Sequence, residues 1–209
     1  MWPNVGKQLG HPRASLVGWL VSRFLRVKNR LLEENAARLC GIQPGDTVLE
    51  VGHGPGLGLQ SAARLLTHPS GSLIGVDYSK YMHQMASELL KDLVASGKVK
   101  LHLCDVAAMP LADSTVDKVF HCNCYYFWPE VRKGTAELHR VMKPGGLMVT
   151  TLRLQSVANF ASKGLLPPKN WCPEAYMEAL RESGFVDVRM EDVQHSNNTF
   201  QAIYATSQK

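Results

Sequence analysis

Thr47-Val48-Leu49-Glu50-Val51-Gly52-His53-Gly54-Pro55-Gly56-Leu57-Gly58, followed at a distance by Ser72-Leu73-Ile74-Gly75-Val76-Asp77, decides the fold. The apolar, β-branched run 47–51 leaves the turn Gly41-Ile42-Gln43-Pro44-Gly45-Asp46 and reads as a buried strand. Apolar periodicity over 57–66 predicts a helix, and 72–77 is a second strand ending in an acid. Strand, glycine turn, helix and strand make a βαβ unit.

The alternation continues outward. Ser79 is the N-cap candidate for a helix to about 96, and 99–103 and 116–120, the latter extending at most to 123, are strands. A helix over 131–141 stops at Pro144-Gly145-Gly146, a strand follows at 147–152, a helix at 174–183, and late strands at 185–188 and 200–206. The expected fold is therefore α/β, a doubly wound, mostly parallel sheet of seven strands with an N-terminal helical cap. Residues 1–40 are expected to form the cap and 41–209 the α/β domain.

In open parallel sheets, ligands bind beyond the carboxyl ends of the strands, at the first strand-to-helix turn. A dinucleotide fingerprint needs its third glycine where this chain has Leu57; the glycines fall at 52, 54 and 56 instead. Glu50 also places a negative charge where a pyrophosphate would lie, which suits an ammonium-bearing ligand better. Asp77 stands where nucleotide-binding folds hold both hydroxyls of a ribose. Ribose and a cationic amino acid together describe S-adenosylmethionine.

On VLEVGHGPG, LIGVDYSKYM, CDVAAMPLADSTVDKVF, NCYYFW and HRVMKPGGLMV, in that order, the chain resembles the class I S-adenosylmethionine-dependent methyltransferases of the small type 11 group. The resemblance implies that Glu50, Gly52, His53, Gly54 and Gly56 surround the methionine end of the cofactor, and that Asp77 holds the ribose. It implies further that Tyr78 and Met82 flank the adenine, that Asp105 with Val106 meets its amino group, and that Asn123 helps fix the amino acid portion. His53 departs from the small, aromatic or cysteine residue expected there; it either touches substrate or fills space. Methyl transfer is an in-line displacement dominated by positioning, and no general base is identifiable; the candidates are His53, Tyr125 and Tyr126.

Tyr125-Tyr126-Phe127-Trp128-Pro129 stands where the family builds its substrate pocket. Four successive aromatics cannot all point inward, so Tyr126 and Trp128 are expected to bind substrate, against the plainer alternative that Phe127 and Trp128 pack the core. His121, Cys122 and Cys124 are ligand types, but neighbouring strand residues face opposite ways and no second pair stands at zinc spacing; no metal is expected. Asp113 and Asp117 read as a polar turn, and 155–173 as a lid or an irregular crossover.

The net charge of +5 is local: Lys7, Arg13, Arg23, Arg26, Lys28 and Arg30 stand in the first 32 residues without an acid. The near-neutral remainder weakens a nucleic-acid reading, as does the absence of the Asn/Asp-Pro-Pro-aromatic signature of base methyltransferases at 123–126. In the basic segment Leu16, Leu20, Phe24, Val27 and Leu31 form the apolar stripe of a helix over 14–39, expected to pack on its own domain. A weak membrane-surface helix or a mitochondrial transit peptide is the alternative. Five cysteines without a CxxC pair suggest a reduced, cytoplasmic protein, and no run is long and apolar enough to span a membrane. The expected activity is methylation of a small-molecule acceptor. The alternatives are a nucleic-acid or protein acceptor, or a methyltransferase-fold partner subunit without catalysis.

Overall fold

The computed structural model describes residues 10–167 and 170–209, apart from the side chains of Val21, Phe24 and Leu25. Residues 1–9 with Lys7, Pro168, and the Phe24 member of the predicted stripe lie outside the described residues. The described strands are β1 (Thr47–Val51), β2 (Ser72–Asp77), β3 (Val99–Leu103), β4 (Val116–Cys122), β5 (Met142–Leu152), β6 (Phe185–His195) and β7 (Asn198–Ser207). They form one sheet in the order β3-β2-β1-β4-β5-β7-β6. β3 through β5 run parallel, and the β6–β7 hairpin closes the edge with β7 antiparallel to β5. The helices are α1 (Leu16–Leu39), α2 (Leu57–Ala63), α3 (Lys80–Leu89), α4 (Lys91–Ala95), α5 (Val131–Val141), α6 (Leu154–Ser162) and α7 (Pro173–Glu182).

Successive strand residues feed opposite faces of the sheet. Leu49, Val119, Met148 and Ile203 pack with Leu138 of α5 and Tyr176 and Leu180 of α7. Their neighbours Val48, Phe120, Val149 and Ala202 pack with Ala36 and Ala37 of α1, its C-cap Cys40, and Leu59 of α2. The C-terminal half of α1 is thus held close to the sheet by small side chains. Thr151 Oγ1 donates to the Leu32 carbonyl at 3.0 Å, and the Cys40 thiol, whose pKa burial pushes up to about 12, donates to the Val119 carbonyl at 3.2 Å.

Of the predicted apolar stripe only Leu31 packs among the described side chains. Leu16, Leu20 and Val27 are 75%, 54% and 80% exposed, while Ser22, Leu32, Glu33, Asn35 and Ala36 are buried. Periodicity located the helix but not the face its own sheet covers. The late strands are longer than expected because β6 is an edge whose residues are mostly exposed, so its polar stretch lacks an apolar signal. β5 begins at Met142, before Pro144-Gly145-Gly146, because its pairing with β4 shifts register between Val116 and Lys118 and so takes in the turn residues.

Ser79 caps α3 as predicted, accepting from the Met82 N–H at 3.3 Å, and its buried hydroxyl also donates to the Pro12 carbonyl at 2.6 Å. Ser79→Ala is expected to cost about 1 kcal/mol, read as a lower urea midpoint at unchanged m-value.

Candidate functional site

β1 lies between β2 and β4, so the connections leaving β1 and β4 part to opposite sides and open a crevice at their carboxyl ends. The glycine turn crosses this crevice. Gly52 and His53 donate their N–H groups to the Val76 carbonyl at 2.8 and 3.3 Å, and the turn closes through Gly56 N–H to the His53 carbonyl at 2.9 Å. Gly52 and Gly54 adopt φ of +64° and +53°, conformations that L side chains rarely take. A Cβ at Gly52 would meet Cys124 Cβ at 3.0 Å, whereas one at Gly54 would stand in open space. The backbone at Gly54 is therefore bare toward the cleft.

The Asp77 carboxylate is fixed from both sides: Oδ2 accepts from Gly54 N–H at 2.9 Å and Oδ1 from Ser79 N–H at 2.7 Å. Asp105 Oδ1 accepts from Ala107 N–H at 2.9 Å. At the end of β4, Asn123 takes φ +50°, donates through Nδ2 to Asn29 Oδ1 of α1 at 3.1 Å, and leaves Oδ1 buried without a partner among the described residues.

These groups line a single cleft of about 1220 Å³. Of the residues singled out in the sequence, Gly52, Gly54, Asp77, Tyr78, Met82, Asp105, Val106, Asn123, Tyr126 and Trp128 all line it. Four others, Glu50, His53, Gly56 and Tyr125, lie behind that lining. Glu50 is turned back against the start of α2, where it accepts the Leu59 N–H and leaves no room for a side chain on Gly58. Burial and the nearby Glu33 carboxylate hold its pKa well above the usual range. His53 is fully buried, with Nδ1 2.8 Å from the Gly54 carbonyl; burial lowers its pKa, and between substrate contact and filling space the geometry favours the second. Tyr125 stacks on Tyr176 with ring centroids 4.2 Å apart and donates to the Trp171 carbonyl at 3.0 Å, which makes it core. Tyr126 and Trp128 are buried yet line the cleft. Burial also pushes the Tyr126 phenol well up, so it stays protonated.

His121 is sealed under the site. Its Nε2 lies 2.8 Å from both Tyr176 Oη and Thr150 Oγ1, its Nδ1 lies 3.3 Å from Cys124 Sγ, and burial pushes its pKa down to about 3. The predicted lid-or-crossover segment contains α6, whose Val157 and Phe160 form an apolar wall with Leu165 and Leu166.

Sequence reasoning missed the contribution of α1. Lys28, Asn29, Leu32 and Glu33 line the cleft, and Glu33 is 7% exposed with Oε2 unpartnered among the described residues. Burial pushes the Glu33 pKa up to about 8, assisted by Glu34 and opposed by Arg26. The available signal was the four-residue spacing of Asn29 and Glu33, which puts both on one helix face, opposite the apolar stripe.

Residues 49–150 match the methyltransferase domain family. The uncharacterized methyltransferase YdaC of Bacillus subtilis is 32% identical over 130 residues, 62% of this chain and 68% of that protein. Erythromycin 3''-O-methyltransferase of Saccharopolyspora erythraea is 29% identical, over 81% of this chain but only 60% of its own length. Among solved structures, a phosphoethanolamine N-methyltransferase 2 of Haemonchus contortus, in complex with phosphomonomethylethanolamine and S-adenosylhomocysteine, superposes with a TM-score of 0.74 at 16% identity, covering all of this chain and 60% of that one. The sheet order, the bare glycine turn on its first crossover and the extent of these matches agree, and the chain belongs to the class I, S-adenosylmethionine-dependent methyltransferases.

Proposed function

We propose that the enzyme transfers the methyl group of S-adenosylmethionine to a small-molecule acceptor seated against the apolar walls of the cleft. The observation that carries this reading is one cleft lined by both polar strand-end groups and a set of apolar side chains. The strand ends offer Asp77, Asp105, Asn123 and the bare glycine turn, and Tyr126, Trp128, Val157, Phe160 and Leu166 supply apolar walls. Its volume of about 1220 Å³ exceeds the roughly 300–1,000 Å³ of an ordinary small-ligand pocket, leaving room for an acceptor beside the cofactor. The similarity to a relative named for methylating erythromycin supports a small-molecule acceptor.

The residues fit the cofactor. Each Asp77 oxygen accepts one backbone N–H and keeps a lone pair for a ribose hydroxyl. Tyr78 and Met82 would flank the adenine, with Asp105 and Val106 at its amino group. Gly52 and Gly54 allow close backbone approach, and the orphaned Asn123 Oδ1 and Glu33 Oε2 are acceptors suited to an ammonium. Glu50, His53 and Gly56 would hold the turn in shape from behind. The bound cofactor supplies an electrophilic methyl on a sulfonium whose leaving group is neutral. The protein's share is then orientation and the exclusion of water by the α6 wall and the α1 side chains. Tyr126, protonated and at the cleft, is placed to donate a hydrogen bond to an acceptor; neither it nor the recessed His53 is assigned as a base. In this reading α1 closes the cleft over a catalytic unit spanning 41–209.

Titration calorimetry with S-adenosylmethionine and NAD, followed by incubation with labelled methyl donor and a fractionated cell extract, tests the reading. Binding of S-adenosylmethionine alone, with label entering a low-molecular-weight product, is expected. Label confined to RNA or protein would overturn the acceptor assignment, and NAD binding alone would overturn the whole.

A further inference from the structure

The apolar stripe of α1 is opposite the face that packs on the sheet, and no described residue covers it. Leu16, Trp19, Leu20 and Val27 are 75%, 46%, 54% and 80% exposed and recur at the steps that align one side of a helix. Scattered exposed apolar residues need no explanation, but a continuous stripe rimmed by charge does. Arg23, stacked over the Trp19 ring at 5.3 Å, stands within it and the exposed Arg26 beside it, while Arg30 is paired with Glu34 at 2.9 Å where the stripe ends. Between residue 10 and Glu33 there is no acid, and Glu33 itself is buried on the opposite side.

We propose that this face of α1 is a docking surface for an anionic phospholipid bilayer, into whose interface the helix lies with its apolar stripe. Both halves of the pattern are needed. The leucines, valine and tryptophan match the acyl boundary, and the arginines match anionic headgroups. A second copy meeting the same face would set one arginine row against another, and a nucleic acid would match the charge but not the aliphatic centre. No helix of the described residues is long and apolar enough to cross a membrane, so the association is interfacial and reversible. The same helix lines the cleft with Lys28, Asn29, Leu32 and Glu33, so docking sets the catalytic cleft beside the bilayer. The inference does not depend on the identity of the methyl acceptor.

Co-sedimentation with vesicles of phosphatidylcholine alone and of phosphatidylcholine with phosphatidylserine tests it. The expected result is binding to the mixed vesicles only, weakening as salt rises, with a blue shift of tryptophan emission that Trp19→Phe abolishes. The double variant Leu20→Ser, Val27→Ser should lower vesicle affinity about tenfold or more, and Arg23→Glu should weaken it further. Calorimetric affinity for S-adenosylmethionine should be unchanged in both, which shows that they are folded. Four results would overturn the proposal: no binding to anionic vesicles, equal binding to neutral ones, binding indifferent to the double variant, or a dimer that the double variant dissociates.

Discussion

Asp77→Ala is expected to weaken S-adenosylmethionine binding by about 100-fold or more, because hydrogen bonds to a charged group contribute roughly 1.5–3 kcal/mol each and a factor of ten in affinity is about 1.4 kcal/mol. The size follows from how the carboxylate is held. Gly54 and Ser79 donate to separate oxygens, so the group is fixed before any ligand arrives and little ordering cost is deducted from its contacts. Those two N–H bonds also brace the glycine turn, so the substitution does two things at once. Thermal unfolding separates them: loss of the braces alone should lower stability by about 1–2 kcal/mol and leave ligand affinity within a few-fold. Asp77→Asn should fall between, since the amide keeps one acceptor but turns its NH2 toward a backbone donor. A titration in which Asp77→Ala binds within about threefold of the unaltered protein, under 1 kcal/mol, would reduce Asp77 to a structural brace.

The sheet was legible wherever burial is two-sided. β1 and β2 are short apolar runs between turn residues whose observed bounds coincide with those read from sequence, and the bounds of the edge strand β3 coincide too because Val99, Leu101 and Leu103 keep a period of two. β6 was only partly legible, because an exposed edge strand carries polar residues at most positions. The site divides in the same way. Gly52, Gly54, Asp77 and Asp105 stand on backbone the topology fixes, and they reach the cleft. Glu50 shows where pattern runs out: sequence supplies a carboxylate at a strand end, but only packing against α2 shows that it turns back into a buried setting that raises its pKa. α1 shows it again. Leu16 and Leu20 are outside, and the contacts to the sheet fall to Leu32, Ala36, Ala37 and the C-cap Cys40, a mostly small set that leaves no strong periodic signal.

Glu33 makes the stability of the ligand-free protein fall as pH rises. Burial raises its folded-state pKa from 4.5 to about 8, so over that interval the folded chain retains a proton that the unfolded chain has released. Stability from this group is therefore fully present near pH 4.5, declines as pH climbs, and levels off above about 8. Glu50, shifted in the same direction and in electrostatic contact with Glu33, adds a decline of the same sign. Glu33→Gln keeps the shape and removes the titration, so its advantage over the unaltered protein should grow from little at pH 5 to on the order of 3 kcal/mol at pH 8. Melting curves across that range check it, and parallel profiles for the two proteins would refute it. A cation brought into the cleft reverses the preference, favouring ionised over protonated Glu33. Binding of S-adenosylmethionine near neutral pH should then release protons, seen as an apparent enthalpy that varies with the ionisation enthalpy of the buffer. Glu33→Gln should reduce that release and weaken binding, by about tenfold for the loss of one charged partner. Proton release equal in the two proteins would place the ammonium away from α1 and leave Asn123 and the glycine turn to hold it.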